Sequence, residues 1–404
     1  PYYATAFGAS PAVIGVISAT YAIGQVIFTP ILGRLSDRVG RRRVLIIAQT
    51  GTVASLLLLG SAGTLWLIFL ARLIDGITGA NVSTVQSVVG DLAAPEDRTK
   101  ALGMVGAATG LGFIFGPMIS GITLTIFNGS YRAPAYVAAG FAATSLMLTV
   151  LRLPETRPSA ANPDRPTFWA SLYAGVRSKD LGPLFRLVFA VQFLFASLTA
   201  VFSLFTLNRL GFDSVDNAIF FTIFGLLLVV MQGVVVGKAV TRFGHQRVLI
   251  ISFAIATLGF AGAALTPQQP VPWFDRADMI TELTQVDEVG AALDLIPPAN
   301  QTGTFALVLL ITTIVPAAIG YSLQLPTLNA LIANSVDDAR MGEALGISAA
   351  FLGLGSVLAP LWAGYIFDRI NPGAPFAANA AISCFVLFAV IRNSNNQTTK
   401  AQPN

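Results

Sequence analysis

The sequence predicts an all-α polytopic membrane protein. Of its 404 residues, 54% are hydrophobic and only 11% are charged, and the mean hydropathy is +0.71. Soluble domains carry about 25% charged residues. Apolar runs of about 20 residues recur along the chain, and each is long enough to cross the hydrocarbon core of a bilayer as a helix. This composition excludes a soluble enzyme, and no cofactor is predicted because the sequence shows neither a phosphate-binding glycine loop nor a metal-ligand cluster.

Eleven membrane-spanning helices are predicted from these runs. Their approximate bounds are 11–33, 44–62, 65–91, 101–125, 132–152, 183–207, 216–239, 247–266, 303–333, 343–367 and 374–392. Lysine and arginine concentrate in one set of the connecting loops, which the positive-inside rule assigns to the cytoplasm. We therefore expect Pro1 to lie outside the cell and the C-terminal Asn404 to lie in the cytoplasm. The protein is expected in the plasma (inner) membrane of a bacterial-type cell. Because the net charge of +4 comes from these loops, it indicates contact with the lipid bilayer and not with nucleic acid.

The loop between the first two spans is short, basic and rich in glycine. It reads GRLSDRVGRRR, and its glycines permit tight turning and close approach of helices. Asp37 lies among the arginines at a cytoplasmic helix end, and Asp91, at the inner end of the third span, is placed to pair with Arg41 or Arg42. One interpretation is a conformational latch formed by Gly33, Asp37, Arg38, Gly40, Arg41, Arg42 and Asp91. The alternative is that the arginines only set the topology.

Arg72 and Asp75 form the one charged pair predicted deep within a span. They are three residues apart, so they share one face of a helix. A charge near the bilayer centre costs at least about 2.5 kcal/mol unless it is paired or hydrated, so such residues usually line an aqueous path. We predict a proton-coupling site in which Asp75 takes up and releases a proton while Arg72 sets its pKa. A structural ion pair that holds two helices together is the alternative.

The span 101–125 carries the glycine-rich run GLGFIFGPMISG. In water such a run would break a helix, but in a membrane it makes a thin helix that kinks and packs closely. The candidates for this packing are Gly110, Gly112, Gly116, Pro117 and Gly121. The alternative is that these small residues only allow ordinary close packing of helices and have no further role.

These stretches together resemble one family of membrane transporters. The order G-x-L-x-D-R-x-G-R-R-R resembles the signature loop of the major facilitator superfamily, between its second and third helices. RLIDGITGAN, the DRTKALG turn after it and GLGFIFGP resemble the tetracycline-resistance group of drug/proton antiporters. The resemblance implies the major facilitator fold, with two pseudo-symmetric six-helix halves that rock to export a small, partly apolar solute in exchange for protons.

The resemblance also has consequences for the first helix and for the latch. The signature loop follows the family's second helix, so we expect the first helix to be missing from this chain and residues 1–10 to be its tail and outer loop. In the family, the latch aspartate contacts the N-terminus of the eleventh helix, which here starts near Glu343. That contact would hold the outward-facing state.

An internal repeat supports a division into two halves, because GLGFIFGPMISG at 110–121 aligns with GLGSVLAPLWAG at 353–364. The predicted domains are an N-terminal helical half at 1–152, a cytoplasmic linker with an amphipathic helix at 153–182, and a C-terminal helical half at 183–404 with an outer loop at 267–302. This outer loop is longer than a compact transporter needs. It is interpreted as a solvated cap, a lid or a docking surface for a partner protein.

Uncharged polar residues inside the spans are candidates for contact with a small-molecule substrate. They are Gln25, Asn81, Gln86, Gln192, Gln232, Gln324 and Asn329. Each is equally suited to a hydrogen bond between helices. The sequence therefore predicts a proton-coupled antiporter that exports a small hydrophobic or amphipathic solute of the tetracycline type. A metabolite carrier of the same fold, and a non-transporting membrane subunit that docks a partner through 267–302, are the alternatives.

Overall fold

Long helices run through the whole described part of the chain. The computed structural model describes residues 1–94, 97–156, 167–284, 293–298 and 301–400, with the backbone alone at 98–99, 102, 338–339 and 393–400. The helices are α1 (Tyr2–Thr5), α2 (Pro11–Val39), α3 (Arg41–Gly60), α4 (Leu65–Thr78), α5 (Val82–Leu92), α6 (Arg98–Ile126), α7 (Arg132–Arg152), α8 (Phe168–Arg177), α9 (Gly182–Leu210), α10 (Ser214–Val230), α11 (Val236–Phe243), α12 (His245–Ala264), α13 (Arg276–Leu283), α14 (Phe305–Asn334), α15 (Asp338–Arg369) and α16 (Ala374–Lys400). A π-helical turn, Met231–Val235, joins α10 to α11.

The prediction of eleven spans is confirmed, since the described residues form 11 helical segments long and apolar enough to cross a membrane. Local sequence explains how the first of them begins and ends. Ser10 accepts a hydrogen bond from the Val13 N–H, and Pro11 occupies the first turn of α2, where no helical N–H is needed. Gly40 ends α2 with a φ of +107°, a conformation that residues with a β-carbon rarely adopt. The basic loop is therefore a single-residue turn between α2 and α3.

The span predicted at 65–91 is confirmed as Leu65–Leu92, but its helix is interrupted, ending at Thr78 and resuming at Val82. Glycine weakens a helix relative to alanine, and Gly79 lies at the break. The Gly79 carbonyl oxygen lies 3.5 Å from the Gln25 Nε2 of α2. This contact gives the Gly79 carbonyl oxygen a partner, which the membrane interior would not supply.

The membrane helices pack in two groups that meet along two seams. In the first group, α3 packs against α4 and α7, and α2 packs against α4. In the second group, α12 packs against α14 and α16, and α9 packs against α14. The seams are formed by α2 against α15 and by α6 against α10. The domain boundaries at 152 and 182 stay a prediction.

The α2–α15 seam is tight near one end of the bundle, and α6 has open space near the other. We call the end that holds the loop 33–43 the basic end, and the opposite end, which holds α1 and α13, the distal end. A β-carbon added at Gly15 of α2 would run into the backbone of Pro360 in α15, near the distal end. Toward the basic end, β-carbons added at Gly103 and Gly106 of α6 would have no described atom within 4 Å. The two groups therefore touch near the distal end, and α6 lies clear of close neighbours at these two positions toward the basic end.

Gly15→Ala is expected to destabilise the protein, because the added methyl group meets the Pro360 backbone, which cannot rotate away as a side chain does. Overpacking of this kind costs about 1–3 kcal/mol. Thermal unfolding of the purified protein in detergent measures the effect. Gly106→Ala is the control, since its methyl group meets open space and replaces a residue that weakens helices. Equal melting temperatures for the two variants would contradict the close contact of α2 with α15.

A short helix, α8, lies within the predicted linker, whose residues 157–166 are outside the described part of the chain. It packs against α9 and α15, with Leu172 buried on that side. Trp169, Tyr173 and Val176 are exposed on its other face. An apolar face of this kind is typical of a helix that lies on a membrane surface.

Candidate functional site

A charged pair lies in the second half of α4. The Arg72 Nη1 is 3.3 Å from the Asp75 Oδ2, and the two side chains are 32% and 17% exposed. Asp75 also accepts a hydrogen bond from the Ser55 hydroxyl of α3, at 3.5 Å. Asp75 is ten residues beyond Leu65, where α4 begins at the distal end. That is about 15 Å along a helix, or half the thickness of the hydrocarbon core.

Polar groups of α2 lie beside this pair. Gln25 donates a hydrogen bond through Nε2 to the Tyr21 hydroxyl, at 2.9 Å. A β-carbon added at Gly76 would run into the Tyr21 backbone, so the missing side chain brings α2 against α4 here. Sequence reasoning missed Tyr21 and Ser55 because a tyrosine and a serine inside a span are ordinary residues. Only the packing of three helices shows that they surround Asp75.

At the basic end, Arg41 connects the loop 33–43 to α5. Its Nη1 is 2.7 Å from the Asp91 Oδ2, and its Nη2 is 3.7 Å from the Asp37 Oδ1. The Arg41 side chain is only 7% exposed. The structure therefore pairs Asp91 with Arg41 and not with Arg42. It places Asp37 beside Arg41, within the same helix group, whereas the family latch implies a contact with the start of α15 in a different state.

Glu155, which no sequence pattern singles out, holds the beginning of α3. Its Oε1 accepts a hydrogen bond from the Arg42 backbone N–H at 3.1 Å, across 113 residues of sequence. A β-carbon added at Gly40 would lie 2.7 Å from the same carboxylate, so this glycine makes room for it. A carboxylate at a helix N-terminus is favourable. Of the other latch candidates, Gly33 is buried and Arg38 is exposed.

The glycine run of α6 forms the seam with α10 on one face only. β-carbons added at Gly110 and Gly121 would lie 3.0 and 2.9 Å from side chains of α10. At Gly112 and Gly116, added β-carbons would meet no described atom within 4 Å. Pro117 lies inside the helix without ending it. Close approach of α10 therefore explains two of the glycines, and the other two leave open space along α6.

The polar candidates for contact with a substrate do not converge on one place. Gln25 lies beside the charged pair, whereas Gln192 and Asn329 contact serine hydroxyls of α15 at 2.9 and 3.4 Å. These last two serve as hydrogen bonds between helices, the alternative role for this class of residue. The exposed or half-exposed members are Asn81, Gln86 and Gln232.

Gln324 of α14 lines a small cavity in the second helix group. Its side chain is buried, at 2% exposure, and its Nε2 has no hydrogen-bond partner among the described residues. The other lining residues are apolar or aromatic, and the stacked rings of Phe195 and Tyr321 have centroids 3.8 Å apart. A buried amide donor is normally hydrogen-bonded. The cavity is large enough for only about one water molecule, which would supply the acceptor that this amide lacks.

The sequence of this chain is similar to those of known proteins. The family model for the Major Facilitator Superfamily matches residues 1–280 and 290–404. The tetracycline resistance protein, class B, of Escherichia coli is 34% identical over 251 residues, which are 61% of this chain and 62% of that protein. The tetracycline resistance protein, class D, of Salmonella ordonez is 29% identical over 361 residues, which are 89% of this chain and 81% of that protein. The match to the class B protein thus spans less than two thirds of its length.

A solved structure shows the same architecture. The nucleoside transporter NupG superposes with a TM-score of 0.69 at 16% sequence identity, covering 97% of this chain and 94% of that chain. At this identity the likeness concerns the fold alone. The predicted fold class, an all-α membrane protein with the major facilitator fold, is confirmed.

Proposed function

This chain belongs to the Major Facilitator Superfamily, and on that premise we propose that it exports a small hydrophobic or amphipathic solute in exchange for protons. The solute is drug-like and of the tetracycline type. The relatives that carry this proposal are the two tetracycline resistance proteins, which are 34% and 29% identical to this chain. The protein acts in the plasma (inner) membrane, with the basic end and the C-terminus in the cytoplasm.

The Arg72–Asp75 pair is the observation that supports proton coupling. A carboxylate half-way across a membrane is costly unless a partner or water stabilises it. Here the partner is an arginine 3.3 Å away, and neither side chain is fully buried. Asp75 is therefore placed to exchange a proton with water, while Arg72 compensates for the negative charge after the proton leaves.

The packing of the two helix groups supports transport by alternating access. The α2–α15 seam is tight near the distal end and α6 has open space at Gly103 and Gly106 near the basic end, which supports an inward-facing state in the predicted orientation. In the opposite state, the basic end would close. Asp37 and other residues of the loop 33–43 would then contact the start of α15 and act as a latch.

Proton movement into liposomes that contain the complete protein tests this function. An imposed pH gradient and a panel of hydrophobic drugs, including a tetracycline, are the conditions. We expect at least one compound to accelerate proton flux above the rate without drug. A folded protein that gives no drug-dependent flux with any compound, yet exchanges a polar metabolite, would overturn the proposal in favour of a metabolite carrier.

The alternative of a docking subunit has less support. It requires the loop 267–302 to offer a surface to a partner, and the loop's residues 285–292 and 299–300 lie outside the described part of the chain. Within the described part, the apolar residues Met279, Leu283 and Ile296 are buried against the bundle. This apolar face is occupied by the protein itself.

A further inference from the structure

The helix α13 lies across the distal end of the bundle and contacts both helix groups. Asp275 caps its N-terminus by accepting hydrogen bonds from the backbone N–H groups of Ala277 and Asp278, at 2.7 and 3.3 Å. Its buried residues Met279 and Leu283 are 3% and 1% exposed. They belong to one apolar cluster with residues from both sides of the seam, which are Tyr2, Ala6, Leu124, Tyr131 and Leu207.

One carboxylate of α13 connects the two groups directly. The Glu282 Oε1 accepts a hydrogen bond from the hydroxyl of Tyr131, directly before α7, at 2.9 Å. The same oxygen accepts a hydrogen bond from the backbone N–H of Ser214, the first residue of α10, at 3.3 Å. A carboxylate at a helix N-terminus is also stabilised by the helix dipole. Glu282 thus holds the first helix group to the second.

A second set of polar contacts crosses the seam beneath α13. The Tyr2 hydroxyl donates to the Phe212 carbonyl oxygen at 2.6 Å and accepts from the Asn217 Nδ2 at 2.7 Å. The Thr206 hydroxyl lies 2.9 Å from the Asn217 Oδ1. Tyr2 and Asn217 are both buried, at 6% and 4% exposure. A solute that leaves through the distal end therefore has to break both the Glu282 contacts and this network.

We propose that α13 is the outer gate of the transporter and that Glu282 is the residue that holds it shut in the inward-facing state. This inference rests on the proposed transport function, because only a transporter has to open and close this end. The role of Glu282 is positioning: it contacts neither a substrate nor the Arg72–Asp75 pair. Opening requires that its two hydrogen bonds break and that Leu283 and Met279 lift from the apolar cluster.

The charges around Glu282 make this gate sensitive to pH. Burial raises the pKa of Glu282, as does the nearby Asp213, while hydrogen bonds from Ser214 and Tyr131 oppose the increase. Asp216 faces the same region from α10. It accepts a hydrogen bond from the Trp273 Nε1–H at 3.2 Å. Tyr2 on α1 also lies near Glu282, and α13 itself carries the charged residues Arg276 and Asp278, preceded by its N-cap Asp275.

The direction of the pH effect follows from linkage. When the gate opens, Glu282 becomes hydrated and its pKa returns toward the ordinary value for glutamate. The closed gate then binds the proton more tightly than the open gate, so acid favours closure and alkali favours opening. For an antiporter this direction is productive, because a proton taken up from an acidic exterior after solute release would promote the return to the inward-facing state.

Cysteine labelling at the distal end tests the gate without any drug or proton gradient. The complete protein, in liposomes, carries Leu124→Cys in a Cys384→Ser background, and a membrane-impermeant maleimide is added from outside. Leu124 is 4% exposed beneath α13, so the labelling rate reports opening. A second protein with the exposed Ala277→Cys in place of Leu124→Cys corrects for the pH dependence of the maleimide reaction.

Tyr131→Phe removes one hydroxyl, so we expect it to raise the corrected labelling rate roughly fivefold, the equivalent of one hydrogen bond of about 1 kcal/mol. Glu282→Ala is expected to raise it further. Glu282→Gln keeps the acceptor oxygen without the charge, so its rate should stay low and lose the increase with pH that the unaltered protein shows. Asp278→Asn, an exposed carboxylate on the same helix, is the matched control and should behave as the unaltered protein.

Unchanged labelling in both Tyr131→Phe and Glu282→Ala would overturn the gate, and so would an equal effect of Asp278→Asn. The first of these variants removes a single atom, so misfolding does not obscure the result. The outcome is also separable from the proposed transport. Drug-dependent proton flux with no change in labelling would exclude the gate alone, whereas a labelling response in a protein that moves no drug would exclude only the proposed solute.

Discussion

Asp75→Asn is expected to reduce drug-dependent proton flux to the rate of protein-free liposomes while the protein still folds and inserts. Asparagine has nearly the shape of aspartate and still accepts hydrogen bonds from Ser55 and Arg72, but it cannot take up a proton. The Arg72 side chain is 32% exposed, so the substitution leaves no fully buried cation behind. Asparagine preserves the shape and the hydrogen bonds, and it removes the negative charge together with the ability to take up a proton.

Proton flux in liposomes with a pH gradient, with and without the drug, is the measurement. Ser55→Ala removes a neighbour 3.5 Å from Asp75 without removing the carboxylate, and it should keep at least part of the flux. Asp278→Asn is a carboxylate control outside the membrane spans and should keep all of it. If Asp75→Asn moves protons at the unaltered rate in response to drug, Asp75 is not the coupling residue and the structural ion pair is the better interpretation.

Arg41→Gln is expected to give the largest loss of stability among substitutions at the basic end. The Arg41 guanidinium lies 2.7 Å from one carboxylate and 3.7 Å from a second, and only 7% of the side chain is exposed. Removing one partner of a buried ion pair costs about 3–5 kcal/mol. Water can solvate Asp91, which is 30% exposed, but it reaches Asp37 poorly, because that side chain is only 8% exposed.

Thermal unfolding of the purified protein measures this effect, with Arg43→Gln as the matched control. Arg43 is two residues away in the same loop, but it is exposed. An exposed charge contributes little to stability, so Arg43→Gln should melt near the unaltered protein. Equal melting temperatures for the two variants would mean that the arginines of this loop act through topology and not through the contacts of Arg41.

Whether the contacts of a residue could be predicted from sequence depended on how far away its partners lie along the chain. The pairing of Arg72 with Asp75 was predictable, because positions three apart face the same side of any helix. The contact of Asp91 with the loop was predictable, with either Arg41 or Arg42 as its partner, since Asp91 and the loop both lie at the cytoplasmic ends of spans. Glu155 was not predictable, because its role depends on the end of α7 lying beside the turn at Gly40.

The sequence by itself determined the class, the eleven spans and the positions of the charged residues within them, because the bilayer imposes one length and one polarity on every helix that crosses it. The tertiary structure decided what no local pattern records. It broke the helix 65–91 at Gly79, where a carbonyl finds its partner on α2. It turned the outer loop, interpreted from sequence as a cap, a lid or a docking surface, into a helix whose Glu282 contacts both helix groups. Those contacts join residues 68 to 151 positions apart, and only the packing of whole helices brings such residues within hydrogen-bond distance.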